Sequence, residues 1–368
     1  MPDATRRRTR RVPAPPTVAP SSTARLSSAP LPATDPPPPP WPGEEVPVPG
    51  GTVFVRSTPW AGRPGAPRER ALYVHGLGGA STNWTDLAAL LAVRCEGWAV
   101  DLPGFGRSSP PPTGSYSVRG HVRAVVEVLE HVRAQPGEAQ GRPVHLLGNS
   151  LGGLVTLLVA ARRPDLVASL TLVSPAVPVY RVPQAFGRAL LLVLLPGVPS
   201  LAERRLAGVT PEQSVRGMLQ VCFGDPARVP RERVDAAVAE MRERTEQAWA
   251  NRALVRSMRG LITSYLRVGR ANAWRLARSL RVPVLVVWGD RDRLVDPRLA
   301  PRLAAAVPDA RLLVLEGVGH VAMLEAPEQT ARAVLGLLED VADGAPHGVT
   351  AGAGDDAGAA GRDERAAG

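Results

Sequence analysis

The stretch Gly148-Asn149-Ser150-Leu151-Gly152 decides how this chain is read. It follows the apolar run Val144-His145-Leu146-Leu147 and opens a second, longer apolar run from Leu151 to Ala160. Strand, tight turn, helix is the setting in which G-x-S-x-G holds a serine on a sharp turn with its hydroxyl exposed. The flanking glycines keep side chains clear of the turn and of the neighbouring backbone. A serine hydroxyl is a poor nucleophile until a base takes its proton, so the rest of the chain has to supply one.

Six histidines are present, and position narrows them to one. His121 and His131 fall on a predicted surface helix, where a satisfied or solvated role is expected. His145 lies inside the elbow strand and packs there. His347 is in the tail, and His75 closes a different strand just before a run of glycines. His320 alone sits downstream of Ser150 in a loop after the last predicted strand, within Glu316-Gly317-Val318-Gly319-His320. An ordinary imidazole pKa of about 6.5 suits a group that must accept and return a proton. Such a base needs an acceptor on its other nitrogen to fix its tautomer. Trp288-Gly289-Asp290-Arg291-Asp292 follows the penultimate strand and offers one. Asp292 is the preferred acceptor. Asp290, nearer the strand, is the alternative and can order the turn, while Asp296 before Pro297 reads as a helix N-cap.

The tetrahedral oxyanion of acyl transfer needs two amide donors. The amide after the nucleophile, Leu151, is one candidate, and Leu77 in His75-Gly76-Leu77-Gly78-Gly79 is the other. His75, Gly76, Trp84, Phe105 and Asn149 are candidates to line a substrate site. For Trp84 and Phe105, core packing is an equal reading.

Apolar runs recur along the chain at Ala71–Val74, Trp98–Val100, Val144–Leu147, Leu170–Val173, Val284–Trp288 and Leu312–Leu315. They are continuously apolar, and stretches with helical spacing alternate with them, such as Val118 to Ala134. That pattern predicts an α/β fold: a mostly parallel, doubly wound sheet covered on both faces, with the site beyond the strand C-termini. A hairpin with a Gly-Gly turn precedes it at Val46 to Val55. From residue 177 to 280 no strand is predicted, and the segment reads as a helical cap inserted into a core of residues 45–176 and 281–342. Leu190 to Leu195 is apolar on every side, as expected of a buried cap helix, a wall of an apolar substrate site or a lipid-facing surface.

Residues 1–44, rich in Arg and Pro, and residues 343–368, rich in Gly, Ala and Asp, lack the apolar content to offset ordering entropy and read as disordered. The net charge is +10, every basic side chain being arginine. No nucleic-acid motif accompanies that charge, so a nucleic-acid partner is not expected. Cys95 and Cys222 form neither a disulfide framework nor a metal site. No apolar h-region follows the early arginine pairs, and no apolar run approaches the ~20 residues that span a bilayer. A cytoplasmic location is the default expectation, with membrane-surface docking through the arm and the leucine run as a lesser reading. Neither a metal nor an organic cofactor is expected, and the oligomeric state is not readable.

Four blocks in order, His75-Gly76-Leu77-Gly78-Gly79, Asp101-Leu102-Pro103-Gly104-Phe105-Gly106-Arg107-Ser108, the elbow, and the two acid and base loops, resemble the α/β-hydrolase fold superfamily. The resemblance covers about residues 45 to 341. It implies the nucleophile–acid–base order Ser150, Asp292, His320, and a G-x-x-D turn at Gly289 to Asp292 that favours Asp292. It further implies a serine hydrolase, and the apolar cap suggests a small hydrophobic carbonyl substrate: an ester first of all, or a thioester or ketone-like compound. The elbow is also similar to that of the meta-cleavage product hydrolases, which cut carbon–carbon bonds, although the oxyanion loop lacks their longer Gly-Gly-x-Gly-Pro form. A non-catalytic small-molecule receptor on the same fold is the alternative outside enzymology.

Overall fold

The computed structural model describes residues 22–48, 51–178, 194–195 and 197–344. Residues 1–21 and 345–368 lie outside the described residues, as does almost all of the predicted helix Gln184 to Leu195 with its leucine run.

Among the described residues, nine strands form one sheet. They are β1 (Ser22–Thr23), β2 (Gly43–Val48), β3 (Gly51–Thr58), β4 (Glu69–Val74), β5 (Cys95–Val100), β6 (Val144–Asn149), β7 (Val167–Val173), β8 (Val284–Gly289) and β9 (Ala310–Leu315). Their spatial order is β1-β9-β8-β7-β6-β4-β5-β3-β2. Only the β2–β3 and β3–β5 pairings are antiparallel. The parallel strands end in register: Val74 pairs with Gly148, Asn149 with Val173 and Gly289 with Leu315. Everything that follows those strands therefore emerges along one edge.

Both faces are buried, which explains the unbroken apolar runs. Leu72, Val74, Leu146, Leu172, Val286 and Trp288 face the cluster built with α2 (Val118–Ala134) and α3 (Leu151–Arg162). Their alternates Tyr73, Leu147, Val173, Leu285 and Val287 face α1 (Thr85–Leu91) and the C-terminal helix. α2 begins where the Ser117 side chain accepts from the Gly120 amide, a cap worth about 1 kcal/mol.

Between β7 and β8 lie α4 (Val198–Leu206), α5 (Pro211–Cys222), α6 (Arg231–Thr245), α7 (Ala250–Tyr265) and the short α8 (Ala273–Ala277). No strand occurs among the described residues from 177 to 280. α9 (Leu299–Ala306), α10 (Ala322–Glu325) and α11 (Pro327–Ala342) complete the chain.

The proline-rich segment differs from the expectation of a loose arm over residues 1–44. Residues 22–44 are laid against the core. β1 pairs in parallel with β9, the Ser27 amide donates to the Arg332 carbonyl at 2.9 Å, and Trp41 Nε1 donates to the Thr85 carbonyl at 3.1 Å. Few apolar contacts are needed here because backbone groups find partners, and fixed proline φ angles leave less entropy to lose.

Candidate active site

Ser150 sits between β6 and α3 at φ 53° and ψ −117°, a left-handed conformation rare for a residue with a side chain. Such a backbone costs about 1–3 kcal/mol and persists only when its surroundings hold it. Here the Ser150 amide donates to the Val173 carbonyl at 3.1 Å, and the Ser150 carbonyl accepts from Leu154 and Ala176. Gly152 makes the turn feasible, since a Cβ there would lie 2.2 Å from the Val74 carbonyl oxygen and 2.4 Å from that of His75. α3 can approach β4 so closely only through a bare backbone.

His320 and Asp292 meet from two neighbouring loops. His320 Nδ1 lies 2.8 Å from Asp292 Oδ2, and both side chains are buried. The other carboxylate oxygen, Oδ1, accepts from the Leu294 and Val295 amides at 2.8 and 2.9 Å. With Asp292 ionised, the shared proton rides on Nδ1 and Nε2 keeps its lone pair. Asp290 is occupied elsewhere, accepting from the Gly317 amide at 2.7 Å and so ordering the turn. Asp296 accepts from the Arg298 amide and guanidinium, but α9 begins at Leu299 with Arg298 as its N-cap and no side-chain cap, so Asp296 is not the N-cap expected of it.

Asn149 ties the serine loop to the histidine loop. Its buried Nδ2 donates to the Val173 and His320 carbonyls, each at 3.1 Å. It therefore braces the two loops against each other. No hydrogen bond joins Ser150 Oγ to His320 among the described residues. Catalytic contacts of this kind often tighten only when substrate arrives.

The candidate oxyanion amides belong to the two segments that meet at the elbow. Leu151 is the first residue of α3, so its N–H lacks an acceptor within the helix. Gly76 packs against the elbow, where a Cβ would meet Asn149 Oδ1 at 2.9 Å and the Ser150 Cβ at 3.0 Å. Leu77 follows in a turn closed by the Gly79 amide donating to the Gly76 carbonyl at 3.1 Å, with Gly78 at φ 80°.

Three other candidates face inward. His75 is fully buried. Its Nε2 accepts from the Leu102 amide at 2.9 Å and its Nδ1 lies 2.7 Å from the Gly76 carbonyl oxygen, so both nitrogens are committed to the scaffold. Burial lowers its pKa below the usual imidazole value, in keeping with a neutral ring. Trp84 does not line the site, because its ring stacks on Tyr73 in the core beneath the sheet at 5.5 Å between centroids. Phe105 is buried edge-on against His75 at 5.6 Å and belongs to the other core cluster. Their positions along the chain carried no sign of which way the rings turn.

His121 is likewise not on a surface helix. The cap covers it, its Nε2 lies 3.2 Å from Ser257 Oγ on α7, and burial pushes its pKa down to about 3. His145 packs as expected, with Nδ1 2.8 Å from Ser169 Oγ. Burial raises the Cys222 thiol to about 12, with Asp292 nearby adding to the shift, so it is no thiolate nucleophile. Its carbonyl instead accepts the His320 amide at 2.6 Å.

Two carboxylates that the sequence did not single out organise these loops. Glu325 accepts from the Gly224 and Gly319 amides at 2.9 and 2.7 Å through Oε2, and from the Asp225 amide at 2.9 Å through Oε1. It thereby staples the end of α5 to the residue before His320. Asp101 accepts from the Ser81 amide at 2.6 Å and the Arg107 amide at 2.9 Å, framing the far side of the oxyanion loop. Asp101 lay within a recognised block, whereas Glu325 had no motif around it.

No group of three or more His, Cys, Asp or Glu side chains among the described residues is placed to hold a metal ion. No described helix is long and apolar enough to cross a membrane.

A family model described as the alpha/beta hydrolase fold matches residues 72–327. Among curated proteins, Lipase 1 of Psychrobacter immobilis is 28% identical over 266 residues, covering 72% of this chain and 74% of its own length. Monoacylglycerol lipase ABHD6 of Homo sapiens is 26% identical over 280 residues, covering 76% and 78%. Among solved structures, a membrane phospholipase A described as a bacterial virulence factor superposes with a TM-score of 0.62 at 27% identity, covering 82% of this chain and 87% of its own. A meta-cleavage product hydrolase from Pseudomonas fluorescens superposes at 0.63 with 18% identity, covering 81% and 98%, a likeness of fold alone.

Proposed function

The chain belongs to the α/β-hydrolase fold family, and on that premise we propose that it is a serine hydrolase that cleaves hydrophobic carboxylic esters through an acyl-enzyme. Ser150 Oγ attacks the ester carbonyl while His320 Nε2 takes its proton. Asp292, held by two amides of its own, orients the imidazole and stabilises its protonated form. The Leu77 and Leu151 amides receive the oxyanion, each such donor being worth about 3 kcal/mol in the transition state. His320 then returns the proton to the leaving alcohol. Water, activated by the same imidazole, attacks the acyl carbonyl and releases the acid and Ser150.

The observation that carries this reading is the buried His320–Asp292 contact beside a serine held at positive φ. The ester assignment draws support from the relatives named lipases. A fluorophosphonate probe is expected to label the wild-type protein at Ser150, and Ser150→Ala to abolish both labelling and turnover of p-nitrophenyl esters. A folded wild type that resists the probe would sink the proposal. Turnover of a dienone in place of every ester in an acyl-length series would move the substrate class to carbon–carbon hydrolysis.

A further inference from the structure

The oxyanion loop has little shape of its own. Gly76, Gly78 and Gly79 are three of its four residues after His75, and glycine commits the backbone to no single region. Contacts must therefore hold the Leu77 amide in place, and the cap supplies them. Three side chains on α6 reach down to successive points of the segment from Gly78 to Asp86. Arg233 pairs with Asp86, Thr82 Oγ1 donates to Glu240 Oε2 at 2.6 Å, and Arg244 Nη1 donates to the Gly78 carbonyl at 2.8 Å. Residues 233, 240 and 244 fall on one stripe of a helix of 3.6 residues per turn. Their partners run in the opposite chain direction, so α6 lies antiparallel along the loop and grips it at three points. Just beyond α6, Gln247 Nε2 donates to the Gly106 carbonyl at 2.8 Å on the adjoining turn.

Arg244 is the grip nearest the chemistry. Its guanidinium stands over the Phe105 ring, 5.6 Å from the centroid, and Nη2 is buried without a hydrogen-bond partner among the described residues. A buried cation with an unmatched donor is destabilising, so packing alone gives no reason for an arginine here. The bond from Nη1 falls on the carbonyl of the residue after Leu77, at the one position of the turn with positive φ.

Resting on the serine-hydrolase reading, we infer that Arg244 is a positioning residue for oxyanion stabilisation. From the cap it fixes the Gly78 peptide and so the direction of the Leu77 amide, with Glu240 and Thr82 as a second anchor. The cap helix is then part of the catalytic frame, and the ester's oxyanion is bound correctly only while α6 is seated.

The test compares wild type, Arg244→Met, Arg244→Lys and Thr82→Val on a p-nitrophenyl ester. It reads kcat, KM, thermal unfolding and the inhibition constant of a trifluoromethyl ketone, whose hemiketal oxyanion needs both amides. Arg244→Met is expected to lower kcat about 10- to 100-fold and weaken the ketone by a similar factor, with KM moving far less. Arg244→Lys, which keeps a donor, should recover part of both losses. Thr82→Val should show the same kcat-and-ketone signature, smaller in size, and decides the matter if Arg244→Met does not fold. A rise in KM at unchanged kcat, or an unchanged ketone affinity, would overturn the inference. Loss of all labelling by fluorophosphonate in wild type would instead strike the serine-hydrolase reading beneath it.

Discussion

α3 and α6 are both helices over the site, yet they are held by opposite means. In α3 every residue from Leu151 to Ala160 is buried, and the helix is packed into the sheet by apolar contact. In α6 no residue is fully buried, and the helix is held to the core by Arg233, Glu240 and Arg244 through ion pairs and hydrogen bonds. Apolar burial is non-directional and cumulative, so it fixes the nucleophile's helix against almost any local change. Polar contacts are few and directional, and each net bond is worth about 1 kcal/mol. The serine side of the site is thus built rigidly, whereas the oxyanion loop depends on a cap that can be loosened bond by bond.

The contrast can be broken hardest at Gly152. Gly152→Val would drive side-chain atoms into the Val74 and His75 carbonyls and is expected to destabilise the fold by about 3 kcal/mol or more, read as a large drop in unfolding midpoint. A variant that melts like wild type would show that α3 is less tightly packed than its burial implies. A middle-sized effect is expected at Glu325, which collects three amides from the cap and base loops. Glu325→Gln keeps the shape but loses an acceptor, and kcat should fall about tenfold with only a small change in unfolding midpoint. A fall in midpoint without a fall in kcat would make Glu325 a staple of the fold alone.

The smallest test concerns acid at the seam between α2 and the cap. His121 is depressed to about 3 by burial, against about 6.5 in the unfolded chain. Between these values the unfolded chain binds the extra proton, so stability is full above about pH 6.5 and declines as pH falls toward 3. One such histidine contributes a slope of at most about 1.4 kcal/mol per pH unit. Urea melts at pH 7.5 and 5.5 should therefore separate less for His121→Asn than for wild type. Equal separation would place the acid sensitivity on His75 and His145, which burial also depresses.

Much of this was legible in the chain because it rests on local pattern. The strand ends, the place of Ser150 between β6 and α3 and the meeting of Asp292 with His320 could be approached from apolar runs, a short motif and position along the chain. The inward turn of Trp84, Phe105 and His75 was not legible, since a residue just past a strand end can point either way and the choice depends on which neighbour offers space or a partner. The bracing bonds of Asn149 were likewise not legible, because its carbonyl partners come from β7 and from a loop 171 residues away.

By itself the sequence determined a parallel sheet with its polar clusters at one edge, because continuous apolar runs between helical stretches can be buried in few other ways. Only the tertiary structure decided that α6 lies antiparallel along the oxyanion loop and that Arg244 reaches Gly78. Those contacts join single long side chains to partners more than a hundred residues away, and no local periodicity encodes such a pairing.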